Sequence, residues 1–216
     1  MSLKSKLLTR FDGVDKELLN LKDITIKDLE IENQRLRDKV INLEKRVISL
    51  EVGGNLLDQY GRRNNLEMTG IPNDVEDEDL EEKVIKILDK IEVNVTSKDI
   101  EACHRVGKPR NNSKKTIIYF VNRKFAKKAL VNRKSLRNID KSSIGLSNSS
   151  DIFINENLTP TNSKLAFHCR KLKREGFLDR NVSRDGLVCI TSKNVQNGKS
   201  IKVLHFNTLV DLFPNF

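Results

Sequence analysis

The chain has 216 residues, 37% hydrophobic and 32% charged, with 40 Lys and Arg against 30 Asp and Glu, a net charge of +10. No apolar run approaches the roughly 20 residues that cross a bilayer, and Lys4, Lys6, Arg10 and Asp12 interrupt any apolar signal core at the N-terminus. Three widely spaced cysteines, Cys103, Cys169 and Cys189, make no disulfide framework, so the expectation is an intracellular protein, cytoplasmic or nuclear, that does not associate with membranes.

The charge is unevenly placed. Residues 1–60 carry 11 basic and 11 acidic side chains, residues 72–101 carry 4 and 11, and residues 102–216 carry 23 and 7, a balance of +16. A polyanionic partner is the reading such a segment favours over an ordinary solvated surface.

The first predicted element is a coiled coil. Leu29, Leu36, Leu43, Leu50 and Leu57 keep a seven-residue period, and Leu19, Ile26, Asn33, Val40, Val47 and Gly54 occupy the matching seam positions. A seven-residue period keeps one narrow seam facing a partner helix, whereas a helix docked on its own domain shows a broader apolar stripe. No second heptad segment exists in the chain, so the partner is another chain; Val at one seam position with Leu at the other and a buried Asn33 lean toward a parallel dimer. Gly53-Gly54 should break the helix near its C-terminal end, with Leu56 and Leu57 resuming it briefly, and Gly61 should act as a hinge into the next domain. The expected division is residues 1–60 for the oligomerisation helix, 61–158 for a first α+β domain and 159–216 for a second, smaller one.

Asn65 to Ile71 alternates like a strand and ends at Pro72. After the acidic run Asp74–Glu82, the residues Leu80, Val84, Ile87, Leu88 and Ile91 have helical spacing. Acidic residues in a first helical turn suit the dipole, and no second carboxylate cluster completes a metal or acid–base site. Ile100–Val106 reads as a second strand, Pro109–Ser113 as a loop, Thr116–Val121 as a third strand, Arg123–Arg137 as a basic helix and Asp151–Asn155 as a fourth strand. The order β-α-β-β-α-β is a split βαβ arrangement, shared by ferredoxin-like and RNA-recognition domains. Past Pro160 the pattern restarts with a helix over Thr161–Glu175 and short strands at Leu187–Ile190 and Ile201–Leu204, joined by a turn at Asn197-Gly198. Leu209–Phe213 closes the chain.

This order of segments resembles the first-open-reading-frame proteins of LINE-type (non-LTR) retrotransposons and is similar to the baculovirus few-polyhedra (FP) proteins. The resemblance rests on the heptad helix, on Arg62-Arg63-Asn64-Asn65-Leu66 leading to Gly70-Ile71-Pro72, and on Asp99-Ile100-Glu101 with His104-Arg105. The strand at Ile117-Ile118, the basic helix ending Asn132-Arg133-Lys134 and the junction Glu156-Asn157-Leu158-Thr159-Pro160 continue it. It implies a coiled-coil oligomer, often a trimer, carrying an RNA-recognition-like domain and an FP-like C-terminal domain that together bind single-stranded nucleic acid and package RNA. By position it also implies Arg63, Arg105 and Arg133 as backbone contacts, and Arg62 joins them.

The residues give their own candidates. Lys114, Lys115, Arg123, Lys124, Lys127, Lys128, Arg133, Lys134 and Arg137 fall close together, and Arg170, Lys171, Lys173 and Arg174 repeat the pattern. Such cations track phosphates with salt-dependent, sequence-tolerant affinity, and two basic faces can clamp one strand. Aromatics are few, with nine Phe, two Tyr and no Trp; alternation puts Phe120 inside and Tyr119 outside as a stacking ring. Cys103-His104 and His168-Cys169 lack zinc spacing, and no nucleotide-binding or hydrolase motif is present, so neither metal, cofactor nor catalytic residue is assigned. The leading reading is a non-enzymatic RNA or single-stranded DNA chaperone. Its rivals are a structural coiled-coil adaptor that binds proteins and, further off, a nuclease. If the heptads are the interface, replacing Leu36 and Leu43 by Pro gives a monomer by light scattering; an unchanged oligomer mass puts the interface elsewhere.

Overall fold

In the structure, a computed structural model, residues 3–72, 77–110, 113–139, 142, 151–192 and 198–214 are described. The chain forms two compact units, residues 1–51 and residues 52–216. Helix α1 (Leu3–Gly61) forms most of the first unit and contributes its last turns to the second. Its heptad residues are exposed, Leu29 at 59% and Leu50 at 74%. The predicted break at Gly53-Gly54 does not occur, since the helix runs through both glycines. Propensity against Gly is only about 1 kcal/mol per residue, and the turns beyond are held by hydrogen bonds of the Asn55 and Gln59 side chains.

The second unit holds two sheets, each with its own apolar core. The first sheet contains β1 (Asn65–Thr69), β2 (Ile100–Arg110), β3 (Ser113–Phe120) and β4 (Phe153–Glu156) in the order β2-β3-β1-β4, with every neighbouring pair antiparallel. Two helices, α2 (Asp77–Asp89) and α3 (Arg123–Asn132), connect β1 to β2 and β3 to β4, which is the split βαβ order. Both cover the same face of the sheet, because Leu66 and Met68 of β1, Ile118 and Phe120 of β3 and Ile154 of β4 share one core with Leu80, Val84, Ile87 and Leu88 of α2 and Ala126 and Ala129 of α3. The Asn122 side chain caps α3 by accepting from Lys124 N at 2.9 Å. The basic helix expected over Arg123–Arg137 tightens at Arg133 into a 3-10 segment (Arg133–Asn138) that still buries Leu136. β2 runs on to Arg110, which shortens the loop expected at Pro109–Ser113; residues 111 and 112 lie outside the described residues, as do 74–76 of the acidic run.

The second sheet is β5 (Arg180–Arg184), β6 (Leu187–Thr191) and β7 (Ile201–Val203), with α4 (Pro160–Arg174) and α5 (Phe206–Leu212) packed on it through Leu165, Cys169, Leu172, Val188, Ile190, Val203 and Leu209. Thr159 caps α4 and Pro160 occupies its first turn. β5 is an addition to the predicted strands, because Arg-Asn-Val-Ser-Arg has no apolar alternation. Its signal is the Asp185-Gly186 dipeptide after it: both residues have positive φ, 53° and 77°, and they join Arg184 to its partner Leu187 in the two-residue turn that such a pair favours. Of the Asn197-Gly198 turn, Asn197 lies outside the described residues.

A buried amide cluster joins α1 to this second sheet. Gln59 is 5% exposed. Its Nε2 donates to the Asn157 carbonyl at 3.0 Å, and its Oε1 accepts from Thr159 N at 2.9 Å and from Asn162 Nδ2 at 3.1 Å. Asn162 Nδ2 also donates to Gly186 O at 2.8 Å, while Asn55 Nδ2 donates to Asn162 Oδ1 at 2.9 Å and Thr159 Oγ1 donates to Asn55 Oδ1 at 2.6 Å. The end of α1, the junction after β4, the start of α4 and the β5–β6 turn are thereby fixed together. Gly186 stands against this cluster, and a Cβ there would come within 2.4 Å of the Gln59 side chain.

Glycines of this chain should respond oppositely to alanine. Gly53 and Gly54 have open space around a new Cβ, so Gly53→Ala with Gly54→Ala should raise helical stability by roughly 1 kcal/mol each. Gly70 has φ +97° and a Cβ there would meet Asp151 O at 2.2 Å, so Gly70→Ala should cost more than about 1 kcal/mol and lower the melting temperature. Thermal unfolding followed by circular dichroism checks both signs. Gln59→Leu should also lower the melting point, by an amount equivalent to about 2 kcal/mol or more, since it leaves buried donors and acceptors unpaired.

Candidate nucleic-acid interface

Strand alternation divides the first sheet into a core face and an open face. On the open face Asn65 stands opposite Tyr119, Glu67 lies between Ile117 and Asn155, and Thr69 stands opposite Phe153. Tyr119 is half-buried and stacks on His104 of β2, with ring centroids 5.6 Å apart and planes 20° apart. Phe153 on the edge strand is 53% exposed. His104 and Phe153 extend the set of candidate contacts. In the sequence, Cys103-His104 lacks zinc spacing and His104-Arg105 enters the resemblance with no role for the ring, and the inner and outer faces of the Phe153 strand are not evident. Cys103 turns the other way and packs against the core.

The open face looks across a cleft of about 630 Å³. Glu67, Lys115 and Asn155 of the open face line it, with Ser163, Ala166 and Arg170 of α4 and Asn181, Val182 and Ser183 of β5; Arg133 of the 3-10 segment and Arg62, just after α1, line it too. A second cleft of about 360 Å³ is lined by Lys127, Leu130, Arg133, Glu156, Ser183 and Arg184. The two share Arg133, Glu156 and Ser183, so they adjoin.

The sixteen sequence candidates divide accordingly. Arg62, Lys115, Arg133 and Arg170 meet in the larger cleft and Lys127 joins Arg133 in the smaller one. Neighbours orient three of these cations. Arg62 Nε bonds Asp58 Oδ1 at 2.9 Å and its Nη1 reaches Asn157 Oδ1 at 3.4 Å. Lys115 Nζ is 2.9 Å from Glu67 Oε2, and Arg133 Nη1 reaches the Ile154 carbonyl at 3.4 Å. Lys124, Lys128, Lys134, Arg137, Lys173 and Arg174 are exposed and line neither cleft. Arg63 lies over the Tyr60 ring at 3.7 Å. Lys114 alternates to the face opposite Lys115. Arg123 pairs with Asp185 at 2.7 Å, linking α3 to the β5–β6 turn. Arg105 holds the backbone after β1, donating to the carbonyls of Ile71 at 3.2 Å and Pro72 at 2.6 Å, so its guanidinium sits on the core side of the sheet.

Among the described residues no group of three or more His, Cys, Asp and Glu is arranged to hold a metal ion, and no helix is long and apolar enough to cross a membrane. Burial pushes the Cys169 thiol up to about 11, well above the range in which it is a ligand or nucleophile at neutral pH.

No family model matches the chain, and no curated protein does. Among solved structures it is similar to the Mip6 RRM3 domain, with 17% identity, coverage of 44% of this chain and 94% of that chain, and a TM-score of 0.29.

Proposed function

We propose that the chain is a non-enzymatic single-stranded nucleic-acid-binding protein, with the strand lying in the cleft between its two sheets. The observation that carries this is the convergence of Arg62, Lys115, Arg133 and Arg170 on one cleft from four separate parts of the sequence. Phosphates passing through would exchange condensed counterions for these cations, which gives affinity that falls with salt and depends little on sequence. The stacked His104–Tyr119 pair and Phe153 on the open sheet face supply π-surfaces for unpaired bases, which a duplex cannot offer. Residues 61–158 then serve as an RNA-recognition-like domain and 159–216 as an FP-like domain that closes over it.

In this reading the exposed heptad seam is covered by further copies of the chain, as a dimer or trimer, so that several clefts engage one strand and avidity multiplies a modest single-site affinity. This is the role implied by the resemblance to LINE-type first-open-reading-frame and FP proteins, an RNA or single-stranded DNA packaging chaperone. The alternative, a coiled-coil adaptor for other proteins, predicts no salt-dependent retention of oligonucleotides.

Single-stranded oligonucleotides should bind more tightly than duplex of the same length and salt. Each phosphate neutralised adds about 0.7 to the magnitude of the log–log salt slope on single strands. Changing Lys115, Arg133 and Arg170 to Ala should therefore flatten that slope by about 2. Changing Lys128, Lys134 and Arg137, which lie outside both clefts, should flatten it less. A larger effect from the second set moves the path onto the exposed face of α3 and its 3-10 extension, and equal binding of duplex argues against the reading as a whole.

A further inference from the structure

The basic helix α4 carries an aromatic surface that its own core does not use. Its buried face is Leu165, Ala166, Cys169 and Leu172, so packing on the second sheet is complete without Phe167, which is 53% exposed. Phe167 meets His168 edge-on, with centroids 5.6 Å apart, and His168 meets Phe206 edge-on at 4.9 Å. Phe206, the first residue of α5, is 43% exposed. Three rings from two helices thus make one strip, two of them open to solvent. Single exposed apolar side chains are common on protein surfaces, but a continuous ring strip is not explained by that.

The surroundings indicate the ligand. α4 contains Lys164, Arg170, Lys171, Lys173 and Arg174 and no acidic residue. Helical geometry puts Lys164, Arg170 and Lys171 three or four positions from Phe167, on its own side of the helix; Lys171 also lies 3.8 Å from Glu175 just beyond the helix end. Arg170 and Ala166 belong to the cleft wall, and Phe167 is the next residue round the helix from Ala166. Exposed rings beside cations at the mouth of a basic cleft match what an unpaired strand needs, a face for each base and a cation for each phosphate. From this juxtaposition we infer that Phe167, His168 and Phe206 form a second stacking platform, which takes bases of a single-stranded nucleic acid as it leaves the cleft. This rests on the proposed nucleic-acid-binding function and extends the path beyond the cleft, across the outer surface of α4 toward α5.

The chain has no Trp, so Phe167→Trp introduces a single reporter on an exposed position. Titration with a mixed-sequence single-stranded oligodeoxynucleotide should quench its emission in parallel with the anisotropy of a labelled strand. An abasic strand of the same length should bind through its phosphates without quenching. Phe167→Leu and Phe206→Leu, which keep an apolar side chain and lose the ring, should each weaken binding by about five-fold or more, and Phe167→Tyr should restore it. The inference is overturned if the oligonucleotide binds while the indole stays unquenched, or if both leucine variants bind like the wild type. If the wild-type chain binds no oligonucleotide at all, the proposed function falls and the platform with it; that result is told apart from the others by the anisotropy of the unmodified protein.

Discussion

The arrangement of the second unit depends on the buried side-chain amide of Gln59. One residue at the end of α1 satisfies a carbonyl and an amide of the junction after β4 and the side chain of Asn162 at the start of α4. A buried polar group costs free energy unless every donor and acceptor is paired, so such a cluster tolerates little displacement of its members. The two sheets have separate apolar cores, so these cores do not fix one sheet against the other. Directional hydrogen bonds do. Arg62, in the turn just after that helix, is held by Asp58 and Asn157 and lines the larger cleft, so the geometry set by Gln59 carries directly into the spacing of cations proposed to bind phosphate.

That spacing also explains why so few of the many basic residues converge. The second half of the chain carries a surplus of 16 positive charges, and unpaired cations packed together repel one another. The protein spreads most of them over exposed surface, as with Lys128, Lys134 and Arg137, and anchors three of the cleft cations individually. Lys115 lies against Glu67 and Arg133 against a backbone carbonyl. These contacts are exposed or partly exposed and contribute little to stability. Their effect is to orient side chains that would otherwise sample many rotamers, which would lower the entropy lost in the proposed binding of a polyanion.

Much of the architecture is legible in the sequence because it follows from local periodicity. Heptads, a two-residue alternation in β1 and β3 and helical spacing in α2, α3 and α4 are each properties of a short window, and the same alternation that buries Phe120 turns Tyr119 outward. Sequence and structure part where local rules compete with contacts further off. Gly53-Gly54 looks like a helix end when propensity alone is counted, and β5 escapes a search for alternation because its pairing is dictated by the turn at Asp185-Gly186 and by β6, not by its own side chains.

The sequence by itself determined the order of elements in the first sheet and its two helices, the surplus of positive charge and where along the chain it lies. The tertiary structure alone decided which cations meet. Lys114 and Lys115 are neighbours, yet alternation gives only Lys115 to the cleft, while Arg62 and Arg170, far apart in the chain, line the same one. Arg105, which the resemblance implies as a backbone contact, ties down the chain after β1 through the carbonyls of Ile71 and Pro72. Periodicity reports which side of an element a residue occupies. Which elements then face each other is set by long-range hydrogen bonds such as those of Gln59, whose partners lie about a hundred positions away, and no local window of sequence contains both ends of such a contact.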